Sequence, residues 1–244
     1  LVMGICRNKK YVLALTGTPV VNKPIDLIPQ LVMIGQLDKF GKYRGFVDSY
    51  CQGSGRASNL RDLNYQLNAN CFYRRLKKDV LLELPDKLRE IIKVDITTRE
   101  EYKKAEDNFI AYLRENLKKT EGEITTALRG EVMVQIGILK KIAARGKIEE
   151  VLEHITDLTE SGEKIVVFAW HRDIVGMIKT EVPGSLTIIG DNTLEQRQNA
   201  VDWFQKDPDR QVMICNIKSG GVGITLTASS RVAFIELPWH PADC

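Results

Sequence analysis

Four short stretches of this chain carry residue types that could handle phosphate groups. LALTGTPV, from Leu13 to Val20, is an apolar run that ends in the hydroxyls of Thr16 and Thr18 on either side of Gly17. Hydroxyls and exposed amides at the carboxyl end of a buried strand stand where open α/β sheets bind ligands. Four residues alone also fit an ordinary strand-turn. KSGGVGITLTAS, from Lys218 to Ser229, places Gly220, Gly221 and Gly223 between Lys218–Ser219 and Thr225. Glycines let backbone approach a phosphate or a neighbouring lobe, but the stretch lacks the ending of a phosphate loop and the spacing of a dinucleotide fingerprint. GDNTLEQR, from Gly190 to Arg197, opens a helix with Thr193 as N-cap and Gln196 three residues on, a capping box. The amides of that helix start, with Arg197 one turn in, suit a backbone phosphate. FYRRLKKDVLLELPDK, from Phe72 to Lys87, sets Arg74, Arg75, Lys77 and Lys78 beside apolar Val80, Leu81, Leu82 and Leu84. Such a cluster neutralises phosphates or forms the solvated face of a helix.

Other chemistries find little support. The three histidines, His154, His171 and His240, share no metal-ligand spacing, and no catalytic role is assigned to them. Five scattered cysteines (Cys6, Cys51, Cys71, Cys215 and Cys244) with no C-x-x-C pair argue against a zinc site or a disulfide framework, and are expected to be reduced thiols of an intracellular protein. A net charge of +3 in 244 residues is too mild to announce a polyanion partner, so nucleic-acid contact would come from local clusters. No apolar run approaches a membrane span, and LVMGICRNKK at the start is too short in apolar residues for a secretory signal. The chain begins without Met and ends at Cys244 inside an ordered-looking region, so both termini are expected to be cuts.

These motifs need elements to hold them. β-Branched apolar runs bounded by turn residues predict strands at Tyr11 to Thr16, Glu90 to Ile96, Lys164 to Ala169, Leu186 to Ile189, Gln211 to Asn216 and Val232 to Glu236, the later ones buried on both faces. From Lys147 onward helical patterns alternate with them: Ile148, Val151, Leu152, Ile155 and Leu158 share one face, and Leu194 to Gln205 forms the next helix. That alternation predicts a parallel α/β sheet. Pro24 near a helix start with Asp26 in its first turn predicts a helix after the Thr-Gly-Thr turn. Thr98 to Lys141 reads as helical throughout, with apolar Phe109, Tyr112, Leu113 and Leu117, whereas Gly41 to Leu60 reads as an irregular excursion.

Taken together and in this order, the motifs resemble the Swi/Snf-type remodelling ATPases of helicase superfamily two. LTGTP is similar to that family's third motif, RRLKKDVLLELPDK to its arginine-rich stretch ahead of the second lobe, and EKIVVFAWHR to its fourth motif. GDNTLEQR resembles the phosphate-contacting turn after it, and SGGVGITLTASSRVAFIELPWHP the fifth motif and the strand beyond. SYC at Ser49 to Cys51, ASNL at Ala57 to Leu60, FQKDPD at Phe204 to Asp209, Thr225 and the E-L-x-W-x-P of Glu236 to Pro241 resemble the HARP-like annealing-helicase branch. The usual remodellers favour Asn in place of Thr225 and Asp in place of Glu236, which points to naked or forked DNA rather than nucleosomes.

The resemblance implies an α/β fold: a RecA-like parallel sheet with helices on both faces, plus a partial first lobe and helical insertions. Residues 1–97 would be the remnant of the first lobe with a protrusion and basic linker, 98–160 a helical insertion and brace, and 161–244 a truncated second lobe. It implies a DNA-dependent ATPase in which closure of the lobes around ATP moves the protein along duplex or forked DNA without sequence choice. Thr16, Gly17 and Thr18 would couple nucleotide state to DNA grip, and Gly221 and Gly223 would face the nucleotide. Thr193, Arg197, Lys218, Ser219 and Thr225 would meet DNA, while Arg74 and Arg75 would meet DNA or tie the lobes together. ATP and Mg would serve the full-length parent, with no metal ligands expected here. No G-x-x-x-x-G-K-[ST] loop and no D-E-x-H box occurs in the chain, and in the family the last arginine motif begins beyond the position of Cys244. The fragment alone is therefore expected to be inactive and to bind no nucleotide. A non-enzymatic nucleic-acid-binding module and an unrelated metabolic α/β enzyme are the rival readings.

Overall fold

A computed structural model describes residues 2–6, 9–20, 22–52, 56–81, 83–115, 119–120, 131–221 and 223–238. The chain divides into two compact units between Glu90 and Ile91.

The first unit is helical. It contains α1 (Val2–Cys6), α2 (Leu27–Met33), α3 (Lys42–Tyr50), α4 (Leu60–Asn70) and α5 (Lys77–Val80), with a two-stranded antiparallel hairpin of β1 (Cys51–Gln52) and β2 (Arg56–Ala57). Asp26 shapes the approach to α2, its carboxylate accepting from the amides of Asn22 at 2.9 Å and Lys23 at 3.0 Å. Leu27, Ile28, Leu31, Phe40, Phe46, Tyr50, Cys51 and Leu63 form the core.

Two expectations are corrected here. The stretch from Gly41 to Leu60 is largely ordered: α3 forms because Phe46 and Tyr50, one helical turn apart, bury against that core. Gly41 makes the start possible, at φ +77° and with a Cβ there only 3.0 Å from the Cα of Gly45. The strand expected at Tyr11 to Thr16 does not form. A strand requires a neighbour to take its backbone hydrogen bonds, and Leu13 and Leu15 are 82% and 86% exposed.

The second unit holds α6 (Arg99–Asp107), α7 (Phe109–Glu115), α8 (Glu131–Gly146) and α9 (Ile148–Glu160). The α/β part follows as β3 (Ile165–Ala169), α10 (Arg172–Glu181), β4 (Leu186–Ile188), α11 (Leu194–Lys206), β5 (Val212–Asn216), the single turn α12 (Ile217–Gly220) and β6 (Arg231–Phe234). Its four strands run parallel in the order β4-β5-β3-β6. Side-chain alternation gives the sheet two buried faces. Ile165, Val167 and Ala169 pack with Ile148, Ile155, Ile174 and Ile178 of α9 and α10. Val166, Met213 and Cys215 pack with Ala200 and Phe204 of α11.

The fold is therefore the expected parallel α/β sheet covered on both sides. Two strand expectations in this unit are corrected. Residues 90–96 form no strand, and Ile91 is 89% exposed. β6 lies at the sheet edge with Val232 56% exposed, so it is not buried on both faces. Leu117 lies outside the described residues. No helix among the described residues is long and apolar enough to cross a membrane.

Candidate nucleic-acid interface

Parallel strands end on one side of the sheet, and β3, β5 and β6 deliver Trp170, Asn216 and Glu236 there. Glu236 is buried. One carboxylate oxygen accepts from the amides of Trp170 at 2.9 Å and His171 at 3.2 Å, and the other accepts from His171 Nδ1. Burial works against its ionisation, but the His171 bond and charge and the two amides outweigh it and hold the carboxyl below its ordinary value. Asn216 completes the tie by donating from Nδ2 to the Trp170 carbonyl at 2.7 Å.

After Asn216 the chain turns at once into α12. Gly220 has to be glycine, because a Cβ there would lie 2.7 Å from Cys215 Cβ and 3.1 Å from its sulfur. Burial pushes the Cys215 thiol up to about 12, against the pull of Arg197, so this cysteine packs and does not attack. Lys218 is exposed, and its Nζ stands 4.8 Å from the centre of the Trp170 ring.

The turn before α11 meets this one. The capping box forms as expected: Gln196 N donates to Thr193 Oγ1 at 3.1 Å, and Thr193 N donates to Gln196 Oε1 at 3.0 Å. Asn192 shapes the turn by accepting from Ile189 N at 2.7 Å, and Arg172 pairs with Asp191 beside it. Arg197 then donates from Nη2 to the Ser219 carbonyl, while its Nε is buried with no hydrogen-bond partner among the described residues. A Cβ on Gly190 would stand 3.5 Å from Ser219 Oγ.

The structure thus brings Arg197 onto Ser219, with Thr193 one turn before Arg197 and Lys218 next to Ser219. Thr225 is exposed between Ile224 and Leu226, which pack on the α11 side of the sheet. Gly221 and Gly223 are exposed, Gly223 at φ +78°.

The remaining candidates belong to the first unit. Thr16, Gly17 and Thr18 form an exposed turn in which Thr18 N donates to Thr16 Oγ1 at 3.1 Å, and Gln30 braces it through the Pro19 carbonyl at 2.5 Å. Arg74 and Arg75 are exposed; Arg75 lies over the Tyr73 ring and donates to its hydroxyl at 2.5 Å.

Sequence reasoning missed Trp170, His171, Asn216 and Glu236 as a connected set. Glu236 carried one signal, a carboxylate at the end of a strand in a buried run, but its partners lie 65 and 66 residues away.

No phosphate-loop lysine exists in the chain. Among the described residues no three His, Cys, Asp or Glu side chains are grouped to hold a metal.

Residues 6–147 match the SNF2-related domain, and residues 146–244 match the helicase conserved C-terminal domain. The chain belongs to the SNF2-related family. It is 30% identical over 248 residues to the SWI/SNF-related matrix-associated actin-dependent regulator of chromatin subfamily A-like protein 1 of Drosophila melanogaster, covering 96% of this chain and 31% of that protein. It is 28% identical over 263 residues to the DNA annealing helicase and endonuclease ZRANB3 of Homo sapiens, covering 99% of this chain and 23% of that protein. This SNF2-related chain thus spans less than a third of the length of these two relatives. Among solved structures, the Sulfolobus solfataricus SWI2/SNF2 ATPase core domain shares its fold, at a TM-score of 0.52 and 24% identity over 94% of this chain and 51% of that one.

Proposed function

We propose that this chain is the DNA-gripping and coupling portion of an ATP-dependent DNA translocase of the annealing-helicase kind, acting on duplex or forked DNA without sequence choice. The observation that carries the reading is the meeting of two motifs at the carboxyl end of the parallel sheet, where Arg197 of α11 bonds the Ser219 carbonyl beside Lys218. Thr193, Arg197, Lys218, Ser219 and Thr225 then hold backbone phosphates of one strand, with amides and cations supplying grip that is blind to sequence. Thr16, Gly17 and Thr18 serve as the coupling turn and Gly221 and Gly223 as the nucleotide-facing backbone. Arg74 and Arg75 add a basic contact. ATP with Mg belongs to the longer protein, whose phosphate loop and acidic box supply the groups missing here.

The reading is supported by the family match and by one relative's name as a DNA annealing helicase. Anisotropy of labelled DNA tests it. Two duplexes of unrelated sequence and a fork should bind the chain with similar affinities that fall together as salt rises. Binding that is absent at low salt, or confined to one sequence, overturns it.

A further inference from the structure

Trp170 belongs to none of the motif positions assigned to DNA or nucleotide, yet both its backbone N–H and its carbonyl are bonded by side chains on that edge. Its amide donates to Glu236 at 2.9 Å and its carbonyl accepts from Asn216 at 2.7 Å. Glu236 follows β6 and Asn216 ends β5, so the ends of both strands flanking β3 hold the backbone of this one residue. His171 keeps Glu236 in place through its ring nitrogen. The Trp170 ring is half-buried, and the Lys218 ammonium stands 4.8 Å from its centre.

An ammonium over an indole face is attracted by the ring quadrupole, and indole is the strongest of the aromatic side chains in this respect. A lysine has four flexible bonds and loses considerable rotamer freedom when it is held in one place. A surface that pre-sets its direction removes part of that loss before any phosphate arrives. We infer that Trp170 is a positioning residue for DNA: its ring aims the Lys218 ammonium along the carboxyl edge of the sheet, so that Lys218 meets a backbone phosphate already ordered. This rests on the reading of Lys218 as a phosphate contact. Trp170 itself touches no DNA in this account and acts only through Lys218.

A double-mutant cycle on the 244-residue chain tests it, with duplex affinity measured across a salt series. Lys218→Met should weaken binding and make the salt dependence shallower by about one unit of slope. Trp170→Leu should weaken binding by about two- to fivefold when Lys218 is present, and by nothing when position 218 is already Met. Trp170→Tyr, which keeps an aromatic face, should recover most of the loss. A Trp170→Leu effect that is the same size with and without Lys218 overturns the inference while leaving the DNA reading intact. An unchanged affinity and slope in Lys218→Met overturns the DNA reading and the inference with it.

A spectroscopic arm holds even if Trp170→Leu fails to fold. With Trp203→Phe and Trp239→Phe, Trp170 remains as the sole indole of the chain's three. Its emission should change on adding duplex and on introducing Lys218→Met. Emission that responds to neither overturns the inference.

Discussion

Arg197 carries two demands at one position. Its guanidinium is turned onto the Ser219 carbonyl, and its buried Nε finds no hydrogen-bond partner among the described residues, which is costly for a cationic donor. In the proposed reading a DNA phosphate at the start of α11 would pair with the part of the guanidinium that remains accessible. Arg197→Ala should therefore weaken DNA binding about equally across sequences and reduce the salt slope by about one. A weaker affinity with the slope unchanged would assign Arg197 to holding the turn alone. Glu236 makes a prediction about acid. Its folded pKa lies below the ordinary 4.5, so the folded state binds the proton less readily than the unfolded chain. The stability this contributes is complete above the unfolded value and disappears as pH falls through the folded one. Glu101 shifts in the same direction: burial opposes ionisation, but the bonds from Arg145 and Tyr112 outweigh it. Glu236→Gln should cost about 1–3 kcal/mol at neutral pH and flatten the acid limb of a denaturation series, and an unchanged limb would mean that other carboxylates set it.

At the scale of elements, the sequence showed best where the burial pattern was complete within the chain. β3 and β5 are continuous apolar runs because helices cover both faces, and the capping box of α11 was legible because all of its partners lie within four residues. The run at Tyr11 to Thr16 has the same apolar character but no adjacent strand, so pattern without a partner gave no ladder. α3 was hidden because its helical face is short, with Gly41 before the helix and Gly45 inside it, which read as loop. β6 was misjudged because Val232 and Phe234 are apolar yet stay 56% and 36% exposed, whereas the other edge strand, β4, is covered. Least legible was the role of α8 and of Lys147 just after it, whose lysines reach the segment after β6 and the first turn of α10. Lys140 donates to the Leu237 carbonyl at 2.5 Å, Lys147 to the Ile235 carbonyl at 3.4 Å, and Lys141 pairs with Asp173 at 3.0 Å. This helix braces the exit of β6, which carries Glu236. Its last residue is pinned as well: Gly146 accepts from Thr97 N at 3.0 Å, and a Cβ on it would lie 2.3 Å from Thr98 Oγ1 and 2.8 Å from Ile96 Cβ. Gly146→Ala should destabilise the second unit by about 1–3 kcal/mol through overpacking, seen as a lower thermal midpoint. Thr193→Ala should cost only about 1 kcal/mol for the lost cap. A reversed order of the two would mean that Thr98 swings aside freely.

For the molecule as a whole, the question is what a chain with these motifs and no phosphate loop does to ATP. Phosphoryl transfer in helicase-type ATPases depends on charge stabilisation: a lysine on the phosphates, carboxylates holding the metal, and arginines that meet the charge as it develops. Among the described residues, His, Cys, Asp and Glu side chains form no metal-holding group, while Arg197 is engaged on the Ser219 carbonyl and Lys218 stands over an indole. Groups that act together in such a site are not additive, so losing one already removes most of what they achieve together. What persists is a charged edge, ordered by Glu236, Asn216 and Trp170, that needs no nucleotide to exist. DNA binding and ATP turnover should therefore separate cleanly in this chain. A phosphate-release assay on the 244 residues, with duplex present at a concentration that saturates binding, should give no signal above a protein-free control. A longer form that supplies a G-x-x-x-x-G-K-[ST] loop, an acidic box and the arginine motif should release phosphate in response to the same duplex. DNA-stimulated release by the 244-residue chain itself would show that the exposed Gly221 to Gly223 turn, or the Thr16 to Thr18 turn, builds a nucleotide site from residues assigned here to grip and coupling.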